Sequence, residues 1–108
     1  MSDSALLVYV SCPPASAEAL GTAIVDSHLA ACVNILPGMR SIYRWKGGVQ
    51  HDEEALLLIK TVESRFEALR ELILAQHPYE LPEVIGVRWG AAHEPYRQWV
   101  IDSTRPLA

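Results

Sequence analysis

Hydrophobic residues fall along this chain in two rhythms. Residues 5–10 (Ala-Leu-Leu-Val-Tyr-Val) are apolar without alternation, the pattern of a strand covered on both faces. Pro13-Pro14 stops it, and Pro14 suits a helix start, where its missing N–H costs nothing. From there to about His28, Ala17, Leu20, Ile24 and Ala31 give a 3.6-residue stripe. Glu18 falls in the first turn of this predicted helix and His28 in the last, both favourable to the helix dipole. Residues 31–46 switch to a period of two: Val33, Ile35, Met39, Tyr43 and Trp45 share one parity, and Asn34, Arg40 and Arg44 the other. Pro37-Gly38 breaks that strand and implies an edge or a bulge.

Gly47-Gly48 predicts a tight hairpin turn, and residues 49–62 a return strand. The second half of that strand, Ala55-Leu-Leu-Leu-Ile59, is apolar on both faces and belongs in the centre of a sheet. Ser64-Arg-Phe-Glu67 reads as a capping box, opening a helix whose apolar face carries Phe66, Leu69, Leu72 and Ile73. His77-Pro78 ends it. Residues 83–89 predict a fourth strand with Ile85, Val87 and Trp89 alternating. Glu94-Pro95 opens a short last helix with Tyr96, Trp99 and Val100 inward, and residues 104–108 should fray.

The order β-α-β-β-α-β, with apolar first and third strands and alternating second and fourth, predicts an α+β, ferredoxin-like sandwich with both helices on one face. The hairpin is too long for it. Its 16-residue first arm would span roughly 50 Å at ~3.4 Å per residue, against a diameter near 35 Å for a compact domain of about 100 residues. A protruding hairpin bearing Tyr43 and Trp45 needs cover, and a closed symmetric oligomer of this chain supplies it. The alternative is a bulged hairpin that curls back onto its own sheet.

Composition narrows the function classes. The 108 residues predict one domain, 1–108, with its core at about 5–101. Nine Lys+Arg against 13 Asp+Glu give a net charge of −4, which argues against nucleic acid as a partner. No apolar run approaches the ~20 residues of a membrane span, and residues 1–5 lack the basic start of a signal peptide. Cys12 and Cys32 make no disulfide framework, so a cytoplasmic location with reduced, buried thiols is expected.

Several blocks are more specific than any of this. Leu29-Ala-Ala-Cys-Val-Asn-Ile-Leu-Pro-Gly38, Ser41-Ile-Tyr-Arg-Trp-Lys-Gly47, Leu58-Ile-Lys-Thr61, His77-Pro-Tyr-Glu80, Pro82-Glu-Val-Ile85 and Pro95-Tyr-Arg-Gln-Trp-Val100 together resemble the CutA family of divalent-cation tolerance proteins, in the family's order over residues 7–100. The resemblance implies a PII-like homotrimer whose interface uses the long hairpin and C-terminal elements. It also implies a role in tolerance of, or response to, divalent metals, notably copper, with no enzymatic reaction attached.

The resemblance further implies metal ligands. Some members place copper at a His-His pair before Pro-Tyr with a cysteine on the first strand. Here Gln76-His77 supplies one histidine, and Cys12 sits at the end of the first strand. His77 and Cys12 are thus the candidate ligands of copper or another divalent cation, with Glu80 or Glu83 as a third. The other reading of His77 is a helix C-terminal residue bonded to the last carbonyls. His28, His51 and His93 lack ligand spacing and read as surface residues.

Tyr43, Trp45, Lys46, Lys60, Tyr79, Glu80, Tyr96 and Trp99 match the family's polar and aromatic set. They read either as trimer interface or as an inter-subunit cleft for a small anionic ligand, with Lys60 as the charge; the second reading makes the protein a PII-like regulator with an unidentified downstream partner. Catalysis finds little footing: there is no nucleophile motif, P-loop or dinucleotide-binding glycine pattern.

Overall fold

The computed structural model describes residues 3–107. Strands β1 (Ala5–Cys12), β2 (Cys32–Trp45), β3 (Gly48–Val62) and β4 (Ile85–Arg88) form one sheet in the order β2-β3-β1-β4. All neighbours are antiparallel. Helices α1 (Ala17–Asp26) and α2 (Phe66–Gln76) are the two crossovers, and α3 (Glu94–Ser103) follows β4. This is the predicted α+β sandwich, with the two apolar strands central.

Leu6, Val8, Val10 and Cys12 of β1 and Leu57 and Ile59 of β3 pack against Leu20 and Ile24 of α1 and Leu69 and Ile73 of α2. Cross-strand partners share a face, so Val8 opposite Ile59 and Val10 opposite Leu57 build one continuous apolar layer under the helices. The other face of the sheet is only partly covered, by α3, whose Val100 is fully buried. Ile85 and Val87 alternate as expected, but on that face, where they remain 51% and 49% exposed.

Several local expectations change. A 3-10 turn over Pro14–Ser16 precedes α1, which ends at Asp26, so His28 is not in its last turn. His28 instead takes the left-handed conformation (φ 61) just past the helix. The Leu29 N–H reaches back to the Ile24 carbonyl and the His28 N–H to that of Val25, the bond pair of a Schellman stop, with Leu29 buried.

The capping box does not form: Ser64 lies in a 3-10 turn before α2. Both its backbone N–H and its hydroxyl donate to the carboxylate of Asp3, so the anion at this helix start comes from the other end of the chain. Tyr96 and Trp99 of α3 are not inward; they are 38% and 46% exposed. Thr104 is not frayed: it is buried and donates its hydroxyl to the Val100 carbonyl at 2.8 Å. Residues 1, 2 and 108, on which the leader and fraying expectations partly fall, lie outside the described residues.

The hairpin carries two further differences. Its turn sits one residue earlier than Gly47-Gly48: Trp45 pairs with Gly48, and Lys46 and Gly47 take φ of 50° and 81°. Positive φ at both central residues is the turn that matches strand twist. The register shifts between Leu36 and Met39, where Gly38 has φ 75°. One extra residue on β2 exchanges its faces. Val33 and Ile35 therefore face the helices opposite Ile59 and Leu57, whereas Met39, Ser41, Tyr43 and Trp45 lie on the other face, with Glu54 and Asp52.

The predicted overhang is present. β1 pairs only with Ala55–Val62 of β3, so the stretch from Gly48 to Glu54 pairs with β2 alone. The described residues extend 46 × 30 × 22 Å.

Candidate functional site: a cleft between hairpin and loop

The loop from α2 to β4 wraps the end of the sheet and faces the base of the two-stranded ribbon. Between them lies a cleft of about 720 Å³. Ser41 to Trp45 and Glu54 form one wall, Pro78 to Leu81 and Glu83 the other, with Ser11 at the end of β1. The bulge creates this wall, because it turns Tyr43 and Trp45 to the face where Glu54 lies.

His77 fixes the loop. Its backbone N–H closes α2 on the Ile73 carbonyl at 2.8 Å. The Tyr79 N–H donates to Nδ1 at 3.1 Å, which puts the ring proton on Nε2 and directs it to the Ser11 carbonyl at 2.8 Å. Tyr79 then folds against the imidazole, ring centroids 4.7 Å apart, and donates its hydroxyl to Glu54 at 2.8 Å. Tyr43 donates in the same way to Asp52.

These contacts shape the electrostatics. Burial raises the Tyr79 phenol, and its bond to Glu54 and the Glu54 charge raise it further. The bond to Asp52 does the same for Tyr43. Burial, and then Glu54, pushes the Cys12 thiol up, so the thiolate that a metal needs is disfavoured.

Of the residues singled out from sequence, Tyr43, Trp45, Tyr79 and Glu80 come together in the cleft. Lys46 sits at the hairpin turn with its ammonium 5.9 Å from the Trp45 ring centroid. Lys60 does not join them: it lies six residues along β3 from Glu54, roughly 20 Å away, opposite Cys32. Tyr96 and Trp99 lie at that far end, where Tyr96 stacks on Trp89 and meets Trp99 at a tilt, and where burial, and then Cys32, raises the Tyr96 phenol.

His77 and Cys12 form no open ligand pair. Both imidazole nitrogens are engaged, and Cys12 is completely buried in the layer under the helices. Among the described residues no three His, Cys, Asp or Glu side chains are grouped to hold a metal ion. As placed within one subunit, His77 and Cys12 offer no pair of free donors for a resident metal. His28, His51 and His93 are exposed, as expected. Sequence reasoning missed Glu54, whose signal was a carboxylate directly preceding the most apolar run of the chain.

Comparison with known proteins agrees with the architecture and the blocks. Residues 6–103 match the family model described as CutA1 divalent ion tolerance protein. The chain is 46% identical over 101 residues to the chloroplastic protein CutA of Arabidopsis thaliana, covering 93% of this chain and 56% of that protein. It is 43% identical over 88 residues to the divalent-cation tolerance protein CutA of Thermus thermophilus, covering 82% and 85%. The chain thus spans just over half the length of its plant relatives.

Among solved structures, CutA1 from Oryza sativa superposes with a TM-score of 0.92 at 43% identity, over 96% of each chain. The protein named PII-like protein CutA from a Nostoc species does so with 0.89 at 33% identity, over 94% of this chain and 99% of that one. Fold, blocks and relatives converge: the chain belongs to the CutA1 family of divalent ion tolerance proteins.

Proposed function

We propose that this chain acts in divalent-cation tolerance as a homotrimer without a catalytic step. In this reading each hairpin is covered by a neighbouring subunit, and the cleft at its base is an inter-subunit ligand site. One observation carries it: the outer half of the hairpin, from Gly48 to Glu54, pairs with β2 alone. An isolated two-stranded ribbon is marginal in water. Here Ile42 and Val49, on the helix-side face of the ribbon, are 69% and 58% exposed, and Ile85 and Val87 stay half-exposed on the opposite face of the sheet. That the relatives are named tolerance proteins supports the cation role. The cytoplasm, or another reducing compartment, suits two free thiols; no helix of the described residues is long and apolar enough to cross a membrane.

Copper or another divalent cation is then a transient ligand, not a cofactor built into the subunit. Isothermal titration with Cu(II) checks this on the wild type and His77→Ala. With both ring nitrogens engaged, the two isotherms should coincide. Loss of saturable binding in His77→Ala would place the metal on His77 after all.

A regulatory role of PII type shares the geometry, and the name of the Nostoc relative favours keeping it in view. Its anionic-ligand form rests on Lys60, which one chain leaves about 20 Å from Glu54.

A further inference from the structure

The cleft has a sign. Glu54, Glu80 and Glu83 line it, with Arg44 as the one cationic side chain among its lining residues. Glu54 is 4% exposed and takes part in no ion pair. The ion pairs among the described residues join Glu67 to Arg70, Glu63 to Arg88, Glu94 to Arg97 and Asp102 to Arg105, all elsewhere. Its side-chain partner is a neutral hydroxyl, that of Tyr79. A buried carboxylate without a cation is unfavourable unless something else compensates it.

The walls point the same way. Tyr43, Trp45 and Tyr79 present aromatic surface to the space in front of these carboxylates, and ring faces attract cations to within about 6 Å. The volume of about 720 Å³ falls in the range of small-molecule sites, roughly 300–1,000 Å³. A bare metal ion needs converging ligands, and among the described residues no three His, Cys, Asp or Glu side chains are so grouped. Dispersed carboxylates with apolar walls between them suit an extended body with separated charges.

We propose that the cleft binds an organic cation of the aliphatic polyamine class. One ammonium sits on the buried Glu54, the methylene chain lies against Trp45 and Tyr43, and a second ammonium meets Glu83 at the rim. This rests on the reading of the cleft as a ligand site and gives that ligand its chemistry and its sign.

Spermidine, titrated calorimetrically into the full chain in its native assembly, tests it, with inorganic phosphate as the anionic comparator. Saturable binding of spermidine is expected, weakened at least tenfold in Glu54→Gln and in Trp45→Leu. It should be unchanged in Glu67→Gln, which removes an exposed charge on α2 and controls for net charge. Glu83→Gln at the rim should also weaken it, and decides the matter should Glu54→Gln fail to fold. Unsaturable heats, or equal affinity in the wild type and the cleft variants, overturn the proposal. An equal loss in Glu67→Gln overturns it too, because attraction by overall charge then suffices. Saturable phosphate binding that is lost in Trp45→Leu, with none for spermidine, overturns the polyamine while leaving the ligand cleft standing. Binding of neither probe, in a protein that sediments as a trimer, removes both the polyamine and the ligand cleft and leaves the assembly untouched.

Discussion

Tyr79 does two jobs with one side chain: its backbone fixes the tautomer of His77, and its hydroxyl is the donor that Glu54 has inside the sheet edge. Tyr79→Phe keeps the ring packing and removes only that donor. It should destabilise the fold by about 1–3 kcal/mol, the cost of leaving a buried acceptor unsatisfied, read as a lower urea midpoint with unchanged slope.

The same bond sets a pH dependence. Burial, the bond to Glu54 and the Glu54 charge raise the Tyr79 phenol above its ordinary 10.0, so the folded protein holds this proton more tightly than the unfolded chain does. Its contribution is complete below pH 10.0 and is lost as pH rises from there through the folded value. Wild type should therefore lose more stability than Tyr79→Phe between about pH 9 and about pH 11. Parallel losses would show that Tyr79 is not the group responsible.

None of this was legible in the residues alone. Glu54 stands in an Asp-Glu-Glu run that carries no sign of its burial, and only a loop returning from 25 residues away supplies its partner.

At the scale of elements, periodicity with proline and glycine signals located the four strands and three α-helices of the described residues, and failed where one residue altered a backbone path. The bulge after Leu36 is the clearest case. Strict alternation put Val33 and Tyr43 on one face, and the inserted residue put them on opposite faces. The proline and glycine announced a bulge without saying how many residues it would absorb. The missing capping box has a similar cause: Ser64 had the right spacing to Glu67, but Asp3 lies close enough to take the hydroxyl.

The end of α1 offers a test at this scale. His28 adopts a left-handed conformation, φ 61, that costs a residue with a Cβ roughly 1–2 kcal/mol. His28→Gly should relieve much of it and raise the melting temperature, since the His28 side chain is exposed. A lowered melting temperature would mean that the imidazole makes a contact worth more than the strain.

At the scale of the whole molecule, the hairpin argument needs only chain length and rise per residue, which is why the overhang was foreseeable from sequence. In the proposed trimer a neighbouring chain covers the overhang, and one chain shows that surface as exposed. The family's polar and aromatic set divides accordingly: Tyr43, Trp45, Tyr79 and Glu80 gather at one end of the sheet, and Lys60, Tyr96 and Trp99 at the other.

In the proposed trimer a lone subunit is incomplete, and the number of chains in solution is the most direct test of that proposal. Sedimentation equilibrium at micromolar concentration should give three times the 12.0 kDa chain mass, about 36 kDa. A stable, folded species of 12.0 kDa at that concentration would contradict it.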